Sequence, residues 1–398
     1  MAITIKREPT YPNVTYTNLV YTVSSSINGN PQFQYVMDIQ DRSYNHLVRI
    51  KQYPNPNGVA VFDPAKIFND YIEYDTAFLT GSSPVTPDNQ EKDFRVAFGE
   101  EYGTSISSSV TLYDGKGVAG SPGVSGSSVT VWPGVVERYG SSYNFNTSSY
   151  SGTNNTALTT YLGSNIDTYK RVGVTDKGFT SFFIGHLGSM PAASAILRNS
   201  AGTALQTVNF TMPATKKQFV TVPSGLGSIS GFSQANIDDA AYYEIKVGTY
   251  GKVYYTIERD DCYDRTDFLF INKNGVWDFI STPYVQRINR DITREEIDRP
   301  FVDYSAADST FDNMRRGHSV YSSTIKENVT VTTGWCNKDY ADHWVDLIES
   351  PEVFTVLDGN VVPIVITNAS YVMNTDRRDQ KRFTYDITFK YANARRGR

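Results

Sequence analysis

The feature that most constrains this chain is apolar alternation with period two, recurring from one end to the other. Phe33, Tyr35, Met37 and Ile39 alternate with Gln34, Val36 and Asp38; Val253, Tyr255 and Ile257 repeat the pattern; Phe383, Tyr385, Ile387 and Phe389 alternate with Thr384, Asp386 and Thr388. Successive side chains of a strand point to opposite faces, so this spacing predicts strands with one face in a core. Composition agrees, with 28 Tyr, 21 Phe and 29 Gly beside only 6 Met, because aromatic residues suit pleated, half-buried surfaces. Between the strands lies turn chemistry such as Tyr53-Pro54-Asn55-Pro56-Asn57-Gly58, in which proline fixes φ and Asn-Gly accepts positive φ. The expected class is mainly β, built as multi-domain antiparallel β-sandwiches or barrels.

Helix signals are few. Asp63 before Pro64 offers an N-cap, with Ile67, Phe68, Tyr71 and Ile72 on one face. Thr293 with Glu296 has capping-box spacing ahead of Pro300 and predicts a second helix. The third is expected over 338–350, where Tyr340, Ala341, Trp344, Leu347 and Ile348 form an apolar stripe and Pro351 supplies the stop. His343, between Asp339 and Asp346 on that helix, reads as a solvated surface histidine. The 398 residues exceed one core, and shifts in texture divide them into an amino-terminal β-sandwich (1–140), a middle β domain or insertion (141–240) and a carboxy-terminal unit (241–398). A Ser/Gly-rich stretch over 105–126 reads as an exposed loop, and the polar, tyrosine-dotted 140–163 as a linker or recognition loop.

Catalytic chemistry leaves no mark. Four histidines, His46, His186, His318 and His343, never fall at metal-ligand spacing. Asp260, Asp261, Asp264 and Asp267 are interleaved with Arg259 and Arg265 and lack the glycine and closing glutamate of a calcium loop, so they read as a polar turn with local ion pairs. Nucleophile elbows, phosphate loops and dinucleotide fingerprints are absent, and no carboxylate pair is locally marked. Catalytic, cofactor and metal residues are therefore expected to be none, and the chain is expected not to be an enzyme. A net charge of −5 gives no pull toward nucleic acid, and the Arg395-Arg396-Gly397-Arg398 tail reads as frayed. No stretch nears the roughly 18 apolar residues of a membrane helix. The opening Met-Ala-Ile-Thr-Ile-Lys-Arg lacks the plan of a signal peptide, and Cys262 and Cys336 read as buried thiols.

The carboxy-terminal third runs long strand, helix, then three strands, an order similar to the β-sandwich-plus-helix domain of phage tail-tube and distal-tail proteins. Local texture resembles structural proteins of tailed phages and prophages, notably those of Bacteroidetes and marine hosts. The patches are Tyr16-Thr-Asn-Leu-Val-Tyr21, Pro54-Asn-Pro-Asn-Gly-Val-Ala-Val-Phe-Asp63, Phe268-Leu-Phe-Ile-Asn-Lys-Asn-Gly-Val-Trp-Asp278 and Trp344-Val-Asp-Leu-Ile-Glu-Ser-Pro-Glu-Val353. The resemblance implies a tail, neck or baseplate component of the virion, assembled in the bacterial host cytoplasm. Its partners would be copies of itself in a ring and other phage tail or neck proteins, with no membrane and no specific nucleic acid. Trp277, Phe279, Trp344, Tyr340 and Leu347 are the candidate interface residues, since large aromatics concentrate where interfaces bury. The Asn274-Gly275 hairpin is a core element that could also seat the carboxy-terminal domain against its neighbour. The alternative is a glycan-binding or depolymerising attachment protein, with host surface glycan as its partner, motivated by the tyrosines of 105–163.

Overall fold

A computed structural model describes residues 3–9, 15–16, 18–43, 45–87, 89–103, 111–113, 128–131, 159–161, 170–184, 190–214, 219–248, 251–259, 265–283, 286–298, 302–303, 310–311, 318–334, 338–367, 384–392 and 395–396. The chain is mainly β, with several antiparallel sheets and three short helices among the described residues. None of these helices is long and apolar enough to cross a membrane.

The amino-terminal part comprises β1 (Ile3–Arg7), β2 (Tyr21–Ser25), β3 (Gln34–Asp41), β4 (His46–Gln52), β5 (Val59–Phe62), helix α1 (Ala65–Asp70), β6 (Lys92–Glu101), β7 (Thr111–Tyr113) and β8 (Ser128–Val131). One sheet runs β1-β2-β5 and the other β4-β3-β6-β7, with β8 also on β6. Their apolar faces share a core that includes Tyr21, Val23, Tyr35, Met37, Ile39, Phe62, Phe68 and Phe98. Helix α1 starts one residue later than its sequence suggests, with Pro64 at the N-cap position, and the Asp63 carboxylate before it accepts from the backbone N–H of Ala65 at 3.1 Å. Strand β3 is buried on both faces, so Val36 and Asp38 are as inaccessible as the alternating aromatics. Buried Asp38 is satisfied by Arg49 Nε at 2.9 Å, His46 Nδ1 at 2.9 Å and Gln40 Nε2 at 2.7 Å.

The middle contains β9 (Thr159–Tyr161), β10 (Lys170–Gly173), β11 (Phe179–Ile184), β12 (Ala193–Arg198), β13 (Ala204–Phe210), β14 (Phe219–Pro223), α2 (Gln234–Asp239), β15 (Tyr242–Val247) and β16 (Gly251–Glu258). A five-stranded sheet runs β10-β16-β15-β12-β13, with β10 parallel to β16 and the other pairs antiparallel. This sheet crosses position 240, joining strands from either side of it. A three-stranded sheet, β14-β11-β9, accompanies it.

The remainder is β17 (Thr266–Ile271), β18 (Trp277–Thr282), β19 (Gln286–Asp298), β20 (Val302–Asp303), β21 (Thr310–Phe311), β22 (His318–Thr332), α3 (Lys338–Ile348), β23 (Val353–Leu357), β24 (Asn360–Ile366), β25 (Asp386–Tyr391) and β26 (Arg395–Arg396). Its main sheet runs β18-β17-β23-β24-β25-β22-β19. Helix α3 covers a core formed by Phe268, Phe270, Ile280, Val329, Val331, Trp344, Leu347, Ile387 and Phe389. Gly275, at φ +74°, closes the turn between β17 and β18, its N–H donating to the Asn272 carbonyl at 2.8 Å.

Hairpin β17–β18 belongs to two cores at once. Leu269, Ile271, Trp277 and Phe279 pack with the middle sheets, while Phe268, Phe270 and Ile280 face α3. Burial on both faces explains why Asp267-Phe-Leu-Phe-Ile271 lacks the alternation of a half-exposed strand.

Candidate functional site

Two features stand apart from ordinary packing, the first being the hairpin β19–β22. The helix expected from Thr293 and Glu296 does not form; both residues lie in β19, which pairs antiparallel with β22 through all thirteen of its residues. A helix of about one turn before Pro300 would gain few hydrogen bonds. The strand gains a full ladder and cross-strand pairs, among them Arg290 Nε to Glu327 at 2.7 Å and Ser322 Oγ to Glu295 at 2.7 Å.

Every residue of β19 is exposed. Strand β25 supports β22 only from Asn328 to Thr332, and β26 touches it at Thr324 and Ile325. The rest of the ribbon has two strands and no further layer among the described residues. At about 3.4 Å per residue, β19 alone spans roughly 44 Å. Directly paired residues share a face, so Ile288, Ile292, half-buried Ile325 and Val320 line one side, around the Arg290–Glu327 pair. Ile288, Ile292 and Val320 are 54%, 51% and 52% exposed. The opposite side carries Asn289, Asp291, Thr293 and Glu295 against Asn328, Lys326, Thr324 and Ser322. A register shift between Glu295 and Glu296 leaves Tyr321 without a cross-strand partner and 74% exposed.

The second feature is a buried ionic cluster. Lys170, at the start of β10, extends its Nζ to within 2.7 Å of Asp278 Oδ1 in β18, a residue 108 positions away. Their side chains are 4% and 0% exposed. His343 of α3, also buried, places Nε2 3.5 Å from Asp278 Oδ2, and Asp346 adds negative charge near Lys170. Burial pulls the Lys170 ammonium below the ordinary lysine range in spite of Asp278 beside it. Burial, reinforced by the Lys170 charge, lowers the His343 imidazole to about 4. The expectation of a solvated His343 is thus corrected: the helix turns it inward over β18, where its ring lies 5.5 Å from that of Phe270.

A neighbouring cluster holds Arg265, whose Nε lies 2.9 Å from Asp176 Oδ1 and whose Nη1 lies 3.2 Å from Glu258 Oε2. Asp267 beside it accepts from the Lys177 N–H at 2.8 Å; burial, then repulsion from Asp176, raises its carboxyl to about 7. Of the described members of the run, Arg265 and Asp267 tie strands together in the interior and exposed Arg259 donates to the Ile237 and Ala240 carbonyls, while Asp260, Asp261, Cys262 and Asp264 lie outside the described residues, as does Cys336. Among the described residues no group of three or more His, Cys, Asp or Glu is placed to hold a metal ion.

Trp277, Phe279, Trp344 and Leu347 are at most 1% exposed and so closed to any partner. Trp277 and Phe279 pack beside Phe78, Tyr255 and Phe354, and Trp344 packs on Phe268. They are interior because the sheets meet within one chain, and hairpin β17–β18 seats the carboxy-terminal sheet against the middle one. Tyr340 is half-buried, edge-on to His343 and Trp344. Sequence reasoning missed the surface that is available, on β19 and β22, although Ile288-x-x-x-Ile292 among charges was its only trace. Apart from 111–113 and 159–161, the stretches 105–126 and 140–163 lie outside the described residues. Arg395 and Arg396, expected to fray, pair with β22 as β26.

No protein-family model matches the chain, and no curated protein matches it. Among solved structures, a crystal structure of a mutant Salmonella alpha-2-macroglobulin is similar over 96% of this chain, with 9% identity and a TM-score of 0.17. The chain spans 30% of the length of that protein. At that level neither fold nor function transfers.

Proposed function

We propose that this chain is a non-enzymatic structural protein of a tailed-phage particle, part of the tail, neck or baseplate, which self-assembles in a ring through the β19–β22 arm. The arm is the observation that carries the reading. A two-stranded ribbon with water on both sides is marginally stable, and its outer edge invites another chain. A stripe of Ile288, Ile292, Ile325 and Val320 needs a partner surface to leave water. Closed rings of identical subunits provide one for every copy and leave no edge unpaired. The likeness of the carboxy-terminal strand and helix order to tail-tube and distal-tail domains adds support from the sequence side.

The test is to purify the full chain, image it by negative-stain electron microscopy, and mix it with the other virion proteins encoded beside it. The proposal expects closed rings and co-purification with those proteins. Particles of single-subunit size that associate with none of them would overturn it.

A further inference from the structure

The Lys170–Asp278 pair has the arrangement needed for a covalent bond. Among the buried ion pairs of the described residues it sets an amine against a carboxyl, whereas Arg265 presents Asp176 with a guanidinium, which is a poor nucleophile. Lys51–Glu101 also joins amine and carboxylate at 2.5 Å, but its lysine is 44% exposed, so that pair is open to water. Lys170 and Asp278 are closed off from water, held on two different sheets, and flanked by an imidazole and a second carboxyl.

We propose that Lys170 and Asp278 condense to an intramolecular isopeptide bond, with His343 as the proton carrier. The ammonium gives one proton to the Asp278 carboxylate, leaving a neutral amine and a neutral carboxylic acid. The amine lone pair attacks Cγ and forms the C–N bond. His343 takes a proton from the nitrogen and delivers it to the departing hydroxyl, the C–O bond breaks, and one water leaves. The ammonium and the carboxylate become one amide and one water, with no oxidant or reductant consumed. Desolvation favours the neutral form of both partners, as for a buried lysine that loses its proton more readily than one in water, against the pull of Lys170 and His343 that holds the Asp278 carboxyl below its ordinary range. The Asn272 Nδ2 group, 3.5 Å from Asp278 Oδ2, lies where it can polarise the carboxyl, and the Asp346 charge acts on the amine. The bond would staple the five-stranded middle sheet to the carboxy-terminal sheet, and it does not depend on the assembly proposed above.

Intact-mass spectrometry of the denatured full chain is decisive. Condensation removes one water, so the mass is expected about 18 Da below that of the sequence, and trypsin should leave a branched peptide joining Lys170 to Asp278. Lys170→Met is expected at its full sequence mass. With both chains recovered unfolded before condensation and then refolded, His343→Leu is expected to lose water about a hundredfold more slowly than the unsubstituted chain, in line with one proton-transfer catalyst. Should Lys170→Met not fold, the mass of the unsubstituted chain still decides. A folded chain at full sequence mass, with the two tryptic peptides separate, would overturn the proposal and leave an ionic pair only.

Discussion

Removing Lys170 alone should damage the protein far more than removing both members of its pair. In Lys170→Met the methylene stem is largely kept, so little packing is lost, but Asp278 stays 0% exposed without its cation. His343 stands 3.5 Å away and is held down partly by the Lys170 charge, so in the variant it offsets part of the loss at most. Stranding one member of a buried ion pair costs about 3–5 kcal/mol, against a domain stability of about 5–15 kcal/mol. With a urea slope of about 2 kcal/mol per molar, the transition followed by tryptophan fluorescence should move down by about 2 M. Lys170→Met combined with Asp278→Leu removes both charges and should recover most of that loss, because apolar replacement of a buried pair is often close to neutral. Should the double variant lose the sum of the two single losses, the pair is not coupled, and the view that Lys170 is held in the interior by Asp278 is wrong. A bond between the two residues, read by mass, would add the same loss to the single and the double variant, so the gap between those two variants measures the pairing alone.

Other consequences concern pH and packing. The folded imidazole of His343 titrates near 4 and the unfolded one near 6.5; its contribution is complete above pH 6.5 and is lost as pH falls toward 4, roughly 3 kcal/mol in all. His343→Leu should flatten the acid limb of a stability–pH curve measured by urea unfolding. Asp267 works in the opposite sense: its raised carboxyl contributes most below its ordinary range and loses stability as pH rises toward 7. Asp267→Asn should therefore be more stable than the unsubstituted chain at pH 8 and no more stable at pH 4, as thermal melts at the two values would show. A Cβ on Gly178 would sit 2.3 Å from the Phe279 ring; Gly178→Ala should cost about 1–3 kcal/mol by overpacking, measured by the same melts.

How much of this was legible depended on whether a local pattern had a local cause. The period-two rows of β16 and β25 and the Trp344 stripe of α3 are consequences of one buried face, so sequence alone locates them. The Asn274-Gly275 turn was equally plain, since only positive φ closes it. The Thr293–Glu296 spacing misled because a capping box states what a helix end would look like, while β22, more than twenty residues later, decides that this segment pairs. His343 misled for a related reason: aspartates before and after it suggested solvent, yet the lysine that fills its surroundings comes from Lys170, which no spacing rule connects to α3. Trp277 and Phe279 were rightly marked as large anchors, but sequence cannot tell an interface between chains from one between sheets of the same chain.

Ring assembly requires that the apolar side of the β19–β22 arm be covered by a second copy. Sedimentation velocity across a concentration series, on the unsubstituted chain and on Ile288→Lys with Ile292→Lys, tests it directly. Both substitutions lie on strand positions about half exposed to water, so the fold should persist in circular dichroism. The account predicts a defined multi-subunit species for the unsubstituted chain and a folded monomer for the variant. A single species of monomer mass for both, at every concentration, would contradict it.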